Sequence, residues 1–379
     1  MDKRDSVRRL AGRIDYGGGR PLSMKNGGGR TTHDDNGRPH YYGPSSNHAF
    51  TQSSTSYLLQ PSLRSVRQYG DPSLRRAGLK WSGDIRIEKQ LTELFFKWHN
   101  AICNEVNECV YRREKEIYDH GQDSLFYSPT LQNAILAIGA CYTTRTIPGI
   151  PGDSSEFFAK RAKTLLEIEL DKPTFATLEA ISLISSHEMV NARESSGWLY
   201  SGGISVHLVT DMGLHLDLEP NLEPSLQPHD LSGARKLSQE IFWANYWLNI
   251  QWSLYLGRPS LMTKLGCTTR KPEVVSIPNM PRHEPARDRS ERQPEDCQNP
   301  AYNVAVYIYR LASIMGKIAD TVYGGVPSTI RSHDNAIQAI TSELEQWKKN
   351  LPPEVDIDLD KNGNMETQVI YGSSILQLQ

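Results

Sequence analysis

One histidine and two cysteines lie at a spacing that could begin a metal site. His99 and Cys103 are four residues apart on a predicted helix, so their side chains share a face, and Cys109 follows six residues later. A structural zinc site needs four ligands, and the chain has no Cys-x-x-Cys pair to complete one. Core cysteines beside a surface histidine account for the same residues, so we predict no metal site. We interpret the remaining candidate histidines as hydrogen-bonded or solvated: His187, His207 and His215.

Nucleophilic and nucleotide-dependent catalysis have no support in the motifs. The sequence contains neither a G-x-S-x-G elbow nor a P-loop. The Gly202-Gly203 pair lies within a predicted helix rather than after a strand, which argues against a dinucleotide-binding fold. The Asp-rich metal motifs of all-helical isoprenoid enzymes are missing as well, since Asp34-Asp35 is the sole Asp-Asp pair. We therefore predict that the chain is not an enzyme and has no catalytic residues or cofactor.

Three tryptophans close together in sequence could line a ligand pocket. Trp243, Trp247 and Trp252 lie on one predicted helix, and pockets between helices are commonly aromatic and apolar. They are our candidate effector pocket. Packing in the hydrophobic core is the alternative, and it is favoured because the surrounding helix is apolar on more than one face.

The stretch from Trp198 to Pro259 contains the two helices that would position these residues. In its first half, Ile204, Leu208 and Met212 recur every four residues, as one face of an amphipathic helix requires. Glycine inside a helix costs about 1 kcal/mol relative to alanine, so we predict that another helix crosses closely at Gly202-Gly203. Gly213 suits the end of this helix, and Gly257 with Pro259 ends the second one.

The other apolar segments also follow helical spacing, with no strand-like alternation between them. We expect order to begin near Ile87, in a helix that continues to Tyr118. Further helices are predicted to start at Ser128-Pro129, at Ser154 or Ser155, and at Pro173-Thr174. A Pro-rich loop at 266–300 separates them from two more helices, which end at Pro352-Pro353. The fold class predicted is all-α.

The charges divide the chain into a basic tail and an acidic body. Residues 1–80 carry 14 basic and 6 acidic side chains, a net charge of +8, which leaves −10 for the remainder. We predict that residues 1–85 form a disordered, Gly/Ser/Arg-rich tail and that residues 86–379 form the helical domain. The repeated Gly-Gly-Gly-Arg blocks could contact nucleic acid, but a solvated tail is favoured. Five scattered cysteines, no signal peptide and no membrane-spanning run predict an intracellular protein in a reducing compartment.

Several motifs in register resemble the middle homology region of fungal zinc-cluster transcription factors, also called the xylanolytic-activator-type regulatory domain. The likeness is greatest to nitrogen-assimilation-type regulators and spans roughly residues 90–379. Its strongest pieces are Gly197-Trp-Leu-Tyr-Ser-Gly202, Asp211-Met-Gly-Leu-His-Leu-Asp217 and Trp252-Ser-Leu-Tyr-Leu-Gly-Arg-Pro259. The motif residues that we single out are Trp198, Gly202, Gly213, His215, Trp243, Leu256, Gly257, Arg258 and Pro259.

The resemblance implies the regulatory portion of a nuclear transcription factor that controls DNA-templated transcription. In this family a cluster of six cysteines binds zinc and reads DNA, yet residues 1–90 contain no cysteine. We therefore expect DNA binding only through a missing module, or weakly and without specificity through the tail. The family also usually carries further C-terminal helices, so we expect the chain to be truncated there.

The partners that the resemblance implies are the transcription machinery or co-regulator proteins, a small-molecule effector and a second copy in a homodimer. No membrane is expected among them. The alternative, from a different functional class, is a helical interaction scaffold or metabolite-sensing module without direct DNA binding.

Overall fold

The described part of the chain is almost entirely helical, which confirms the all-α prediction. The computed structural model describes residues 30–33, 38–43, 46, 64–143, 147–217, 228–273, 300–323 and 330–352. Two strands, β1 (Arg30–His33) and β2 (Pro39–Tyr42), pair in a two-stranded sheet. The chain divides into two compact units, and the helices all belong to the unit formed by Thr31–Tyr41 and Ser53–Gln379.

The helices follow one another with short connections in most of the described ranges. In chain order they are α1 (Val66–Arg76), α2 (Ile85–Leu94), α3 (Asn100–Cys103), α4 (Glu108–Asp119), α5 (Pro129–Cys141), α6 (Ser154–Glu169), α7 (Phe175–Val190), α8 (Glu194–Trp198), α9 (Ser205–Asp211), α10 (Pro228–Leu256), α11 (Pro300–Val322) and α12 (Ile330–Lys349). Phe95–His99 and Leu199–Ile204 are π-helical turns, and Met262–Lys264 is a 3₁₀ turn. Of the predicted loop at 266–300, residues 266–273 are described and are not helical, and α11 begins at Pro300.

Order begins earlier than predicted, because α1 lies inside the expected tail. Ser65 caps this helix by accepting from the Arg67 backbone N–H, and Leu74 is buried. Arg64 binds Asp171 through two hydrogen bonds of 2.7 and 3.0 Å. The predicted boundary at residue 85 is therefore wrong. The low apolar content of this segment predicted disorder, whereas its arginines pair with aspartates of the acidic body and help to order it. Within the predicted tail, residues 1–29, 34–37, 44–45 and 47–63 lie outside the described part, so the prediction of disorder is not tested there.

Most helix starts agree with their sequence signals. Ser128 caps α5 with Pro129 in the first turn, and Thr174 caps α7 with a reciprocal bond from Thr177, both as predicted. The start of α6 differs by one position. Asp153 caps it by accepting from the Ser155 N–H at 2.8 Å, where Ser154 or Ser155 was expected.

The helix predicted to run from near Ile87 to Tyr118 is interrupted. After the π-helical turn and α3, Asn104 adopts a left-handed conformation with φ of 46°, and Asn107 caps the new helix α4. The Asn100 side chain bridges the break, since it bonds to both the N–H and the carbonyl of Val106. Apolar spacing alone did not reveal this corner, because the residues on both sides keep a helical period.

Helix α10 lies in the middle of the main hydrophobic core. Every residue from Glu240 to Ile250 is buried, as expected for a helix that is apolar almost all round. Residues from α5, α7, α9 and α11 pack in the same cluster. A smaller cluster joins α2, α5 and α6 through Leu91, Leu136 and Phe158.

The closest helix approaches occur at glycines other than the predicted pair. A Cβ at Gly139 would lie 2.8 Å from the carbonyl carbon of Leu91 and closer still to its oxygen, so α2 and α5 touch there backbone to backbone. At Gly202 the nearest atom would be the indole nitrogen of Trp198 at 3.2 Å, and at Gly203 it would be Leu199 Cδ1 at 3.2 Å. The predicted backbone crossing at Gly202-Gly203 is wrong, because side chains rather than another backbone fill that space.

Replacing Gly139 with alanine should destabilise the fold, because backbone atoms of α2 cannot move aside as a flexible side chain can. We expect Gly139→Ala to lower the free energy of unfolding by about 1–3 kcal/mol, as overpacking does. Gly203→Ala is the matched control. Its new methyl meets only the end of a leucine, and the gain in helix propensity of up to about 1 kcal/mol offsets that contact. Denaturant unfolding of both variants tests this, and equal stability of the two would contradict it.

Candidate functional site

The motif-bearing segment forms a single helical run with a wide turn in its middle. Helix α8 passes directly into the π-helical turn Leu199–Ile204 and then into α9. Turns of this kind are rare and occur frequently at functional sites. The predicted apolar face is present here, since Leu208 and Met212 are buried in the main core.

A series of buried hydrogen bonds joins α10 to this run and to α7. The Oδ1 atom of Asn245 accepts from the hydroxyls of Ser182 on α7 and Ser205 on α9, each at 2.7 Å. Two turns further along α10, Trp252 Nε1 donates to Ser185 Oγ at 2.8 Å. All five side chains are buried, so each polar group needs its partner to offset the loss of water. We call this set of contacts the polar ladder.

Asn249 extends the polar ladder toward the end of α10. Its Nδ2 donates to the Ser201 carbonyl in the π-helical turn at 3.1 Å, and its Oδ1 accepts from Ser260 Oγ at 2.7 Å. Because Ser260 follows the Gly-Arg-Pro motif directly, this amide ties the two motif-bearing segments together. Sequence reasoning missed Asn245 and Asn249. Two amides four residues apart on an otherwise apolar helix were the signal that could have identified them.

The two predicted helix ends have the geometry that their glycines suggested. Gly213 has φ of 69°, and the N–H groups of Gly213 and Leu214 bond to the carbonyls of Thr210 and Val209. Gly257 has φ of 64° and ends α10 with the same pair of bonds. Both are Schellman motifs, in which a left-handed glycine lets the last carbonyls be satisfied.

The motif residues at the ends of the two segments come together in space. The Arg258 guanidinium lies 4.7 Å from the centre of the Trp198 ring, a cation–π contact. Leu256 is half-buried, whereas Gly257 and Pro259 are exposed. The structure thus joins Trp198 to Arg258 directly, and Asn249 joins the neighbouring residues Ser201 and Ser260.

The loop after α9 is anchored by charge and backbone bonds. Asp217 binds Arg235 and also Arg270, the latter at 2.7 Å. The His215 carbonyl accepts from the Thr268 N–H at 2.9 Å. Burial lowers the pKa of the His215 imidazole, and a backbone hydrogen bond at Val209 opposes the shift only in part. This histidine is therefore neutral at pH 7 and serves as a packed side chain.

The three candidate pocket tryptophans are core residues in this structure. Trp243 donates from Nε1 to the Arg270 carbonyl at 2.9 Å and packs against Tyr246, while Trp247 and Trp252 are almost fully buried. A shallow groove of ≈ 400 Å³ lies elsewhere, beside α9, and none of the three tryptophans lines it. Its walls are formed by Val206, His207, Thr210, Asp211, Leu261, Lys264 and Leu265.

Two of the residues considered for a metal site, His99 and Cys109, have other partners, and the Cys103 side chain lies outside the described part. His99 Nε2 lies 3.1 Å from Glu105 Oε2. Cys109 is disulfide-bonded, which its scattered position in the sequence did not predict, so its sulfur is not free to act as a thiolate ligand. Across the described ranges, no group of three or more His, Cys, Asp or Glu side chains could hold a metal ion.

A serine, a histidine and a glutamate lie in a row, as in a catalytic triad, but their bonding differs. His187 Nε2 is 2.9 Å from Ser155 Oγ, and His187 Nδ1 is 3.5 Å from Glu188. The serine hydroxyl donates to the Ala137 carbonyl at 2.8 Å, so its proton is not directed at the imidazole. All three residues are buried. We interpret this array as a hydrogen-bond network that joins α5, α6 and α7.

Two buried glutamates, Glu179 and Glu240, precede the residues of the polar ladder on α7 and α10. Burial, and then the charge of Glu240 on α10, raise the pKa of Glu179 on α7 well above its ordinary value. Burial also raises the pKa of Glu240, against the opposing effects of Lys236 and of the Asn107 and Asn104 amides. At least one of these acids therefore holds a proton well above the pH at which an exposed glutamate loses it.

Comparison with known proteins places the chain in a family. Residues 92–349 match the fungal specific transcription factor domain. The nitrogen assimilation transcription factor nirA of Emericella nidulans is 26% identical over 283 residues, which is 72% of this chain and 31% of that protein. The nitrogen assimilation transcription factor nit-4 of Neurospora crassa is 24% identical over 353 residues, which is 89% of this chain and 31% of that protein.

The chain belongs to the fungal specific transcription factor domain family, because the match covers more than half of its 379 residues. This is the family that the resemblance implied. An uncharacterized transcriptional regulatory protein of Schizosaccharomyces pombe is similar too, 23% identical over 86% of this chain and 41% of that protein. The chain spans about a third of the length of nirA and nit-4. No solved structure matches it. In the ranges described, no helix is both long and apolar enough to cross a membrane.

Replacing Glu179 with glutamine should stabilise the protein at pH 7. The pKa of Glu179 is higher in the folded protein than in the unfolded chain, so the unfolded chain loses this proton at a lower pH. The free energy of unfolding therefore falls as the pH rises from the unfolded-state pKa towards the folded-state pKa. Glutamine removes that penalty, so we expect the free energy of unfolding to rise by about 1–3 kcal/mol at pH 7, and by less near about pH 5.

Glu188→Gln on the same helix is the matched control, with the opposite sign. Burial alone would raise the pKa of Glu188, but Lys163 and Arg193 hold it below its ordinary value. The charged form is thus the stabilised one, and its loss should lower stability at pH 7. Denaturant unfolding at the two pH values tests both variants, and a Glu179→Gln protein less stable than the parent at pH 7 would contradict this assignment.

Proposed function

We propose that this chain is the regulatory part of a nuclear transcription regulator and that it acts through protein contacts rather than catalysis. The observation that carries the proposal is the family match over residues 92–349, which runs from within α2 to the last residue of α12. The motif residues support it, because they hold the central helices together and do not converge as a nucleophile with a base. The names of the relatives, which are transcription factors, support a nuclear location and a role without catalysis.

The partners are co-regulator proteins or components of the transcription machinery, with a small molecule as a candidate effector and a homodimer as a candidate assembly. The groove beside α9 supports the effector hypothesis better than the three tryptophans do, because its walls are accessible and mostly apolar. The rival function is a helical interaction scaffold without a transcriptional role.

Direct reading of DNA by this chain is not part of the proposal. Residues 1–90 lack the six-cysteine cluster of the family, and specific reading needs side chains held rigidly against base edges. Arg64 and Arg67, both in the basic segment, bind Asp171 and Asp123 of the body. These two guanidinium groups are therefore engaged within the protein rather than free to contact phosphate.

Titration against mixed duplex DNA should show weak binding that is indifferent to sequence. We expect the affinity to fall steeply between about 50 and 200 mM salt, because any contact would come from basic side chains that displace counterions from phosphate. Equilibrium binding to a pool of duplexes at both salt concentrations is the measurement. Retention of one DNA sequence at the higher salt would show a specific reader in this chain and contradict the expectation.

A reporter assay in fungal cells separates the regulator from the scaffold. The chain is inserted between an unrelated DNA-binding domain and an unrelated activation domain, and we expect reporter output to change severalfold relative to the fusion without it. Gly139→Ala, which loosens the fold, should abolish the change, and Gly203→Ala should preserve it. Unchanged output with a stable, nuclear fusion protein would favour the scaffold.

A further inference from the structure

A short segment of the predicted tail is seated on the end of helix α9. The Arg38 guanidinium binds the Asp211 carboxylate, and the Arg38 side chain is only 8% exposed. His40 Nδ1 lies 3.3 Å from the other oxygen of the same carboxylate. Tyr41 meets the His215 ring edge to face, with the ring centres 5.3 Å apart. Three side chains within four residues therefore contact one motif of the body.

The surface under this segment is suited to a cation followed by an aromatic ring. Asp211 is the last residue of α9, where the helix dipole adds partial negative charge to that of the carboxylate. Arginine is seldom buried without such a partner, and a charge-assisted bond is among the stronger ones in proteins. Hydrogen bonding to His40, followed by the charge of Arg38, holds the pKa of Asp211 below its ordinary value. The neutral, buried His215 ring supplies the apolar neighbour for tyrosine.

We propose that Asp211–His215 is a recognition surface for a short basic and aromatic segment, and that residues 38–41 of this chain occupy it in cis. The pattern it accepts is an arginine followed by histidine two residues later and tyrosine three residues later. We call residues 38–41 the strap. The proposal does not depend on the transcriptional role.

The strap binds a residue that also lines the groove beside α9, so strap binding affects the groove. Asp211 is both the acceptor for Arg38 and part of the groove wall, which Thr210, Leu261 and Leu265 also line. While the strap is bound, its guanidinium neutralises the only carboxylate among the residues that form those walls. A ligand with a basic group beside an apolar one must therefore displace the strap to use the groove fully.

A charge swap in the full-length chain tests the strap. Arg38→Asp and Asp211→Arg should each speed amide hydrogen exchange in residues 38–42 and 211–217 by roughly tenfold or more, since each leaves two like charges facing. The double variant restores the pair with its charges reversed and should recover much of the protection. Asp123→Arg, which disturbs the exposed pair with Arg67, is the control and should leave both segments unchanged. Fast exchange of 38–42 in the parent, or no recovery in the double variant, would overturn the proposal.

A peptide added in trans tests recognition separately from tethering. A synthetic peptide of residues 36–43 should bind the Arg38→Asp chain, whose own strap is released, and should not bind the Arg38→Asp, Asp211→Asn chain. A peptide of the same composition in scrambled order should bind neither. Binding that ignores Asp211 would show charge attraction without recognition. Protection of 38–42 that depends on protein concentration would assign the strap to a second copy and overturn the assignment in cis.

Discussion

The buried amide of Asn245 is the constraint on which the central packing depends. It lies in a fully buried stretch of α10, where an unpaired amide would be costly, and its oxygen accepts from both Ser182 and Ser205. Apolar side chains alone would tolerate small slides between α7, α9 and α10, because dispersion contacts have little direction. The bonds of Asn245, with those of Asn249 and Trp252, remove that freedom. The family motifs lie on the segments that these hydrogen bonds join, so the bonds fix the positions of the motifs relative to one another.

Opposite charges of the two parts of the chain pair with one another in the described part of the molecule. The segment before residue 80 is basic and the body is acidic, and the structure pairs arginines of the first with aspartates of the second at three separate places: Asp211, Asp171 and Asp123. Exposed pairs contribute little each because water screens them, whereas the pair of Arg38 and Asp211 is shielded from water on the arginine side. Charge segregation along the sequence is therefore a folding signal here as much as a sign of nucleic-acid contact.

Local signals in the sequence predicted the features that depend on local physics. Ser128 with Pro129, Gly213 and Gly257 mark helix ends because caps are decided within a few residues, and the structure has all three helix ends at those signals. The corner at Asn104, the close approach at Gly139 and the seat of Arg38 were not predicted. Arg38 and Asp211 are 173 positions apart, and Gly139 meets the backbone of a different helix. Periodicity within one segment does not indicate which other segment will pack against it, so contacts of this kind can be identified only from the three-dimensional structure.

Trp243, Trp247 and Trp252 suggested a ligand pocket, yet in the structure they pack in the core. Tryptophan, asparagine and arginine are typical of binding sites because they combine area with directed polar groups, and a helical core that must hold one register needs the same combination. Trp252 and Asn249 direct their polar atoms at Ser185 and the Ser201 carbonyl, which leaves those atoms committed within the protein. A partly exposed carboxylate lies instead beside α9, where Asp211 binds the strap and also lines an apolar groove. A ligand or partner that contacts this carboxylate would act on the end of the helical run that the polar ladder holds in place. Because the ladder fixes this run against α10, and α10 against α7, a structural change at the surface of α9 would be transmitted to the core.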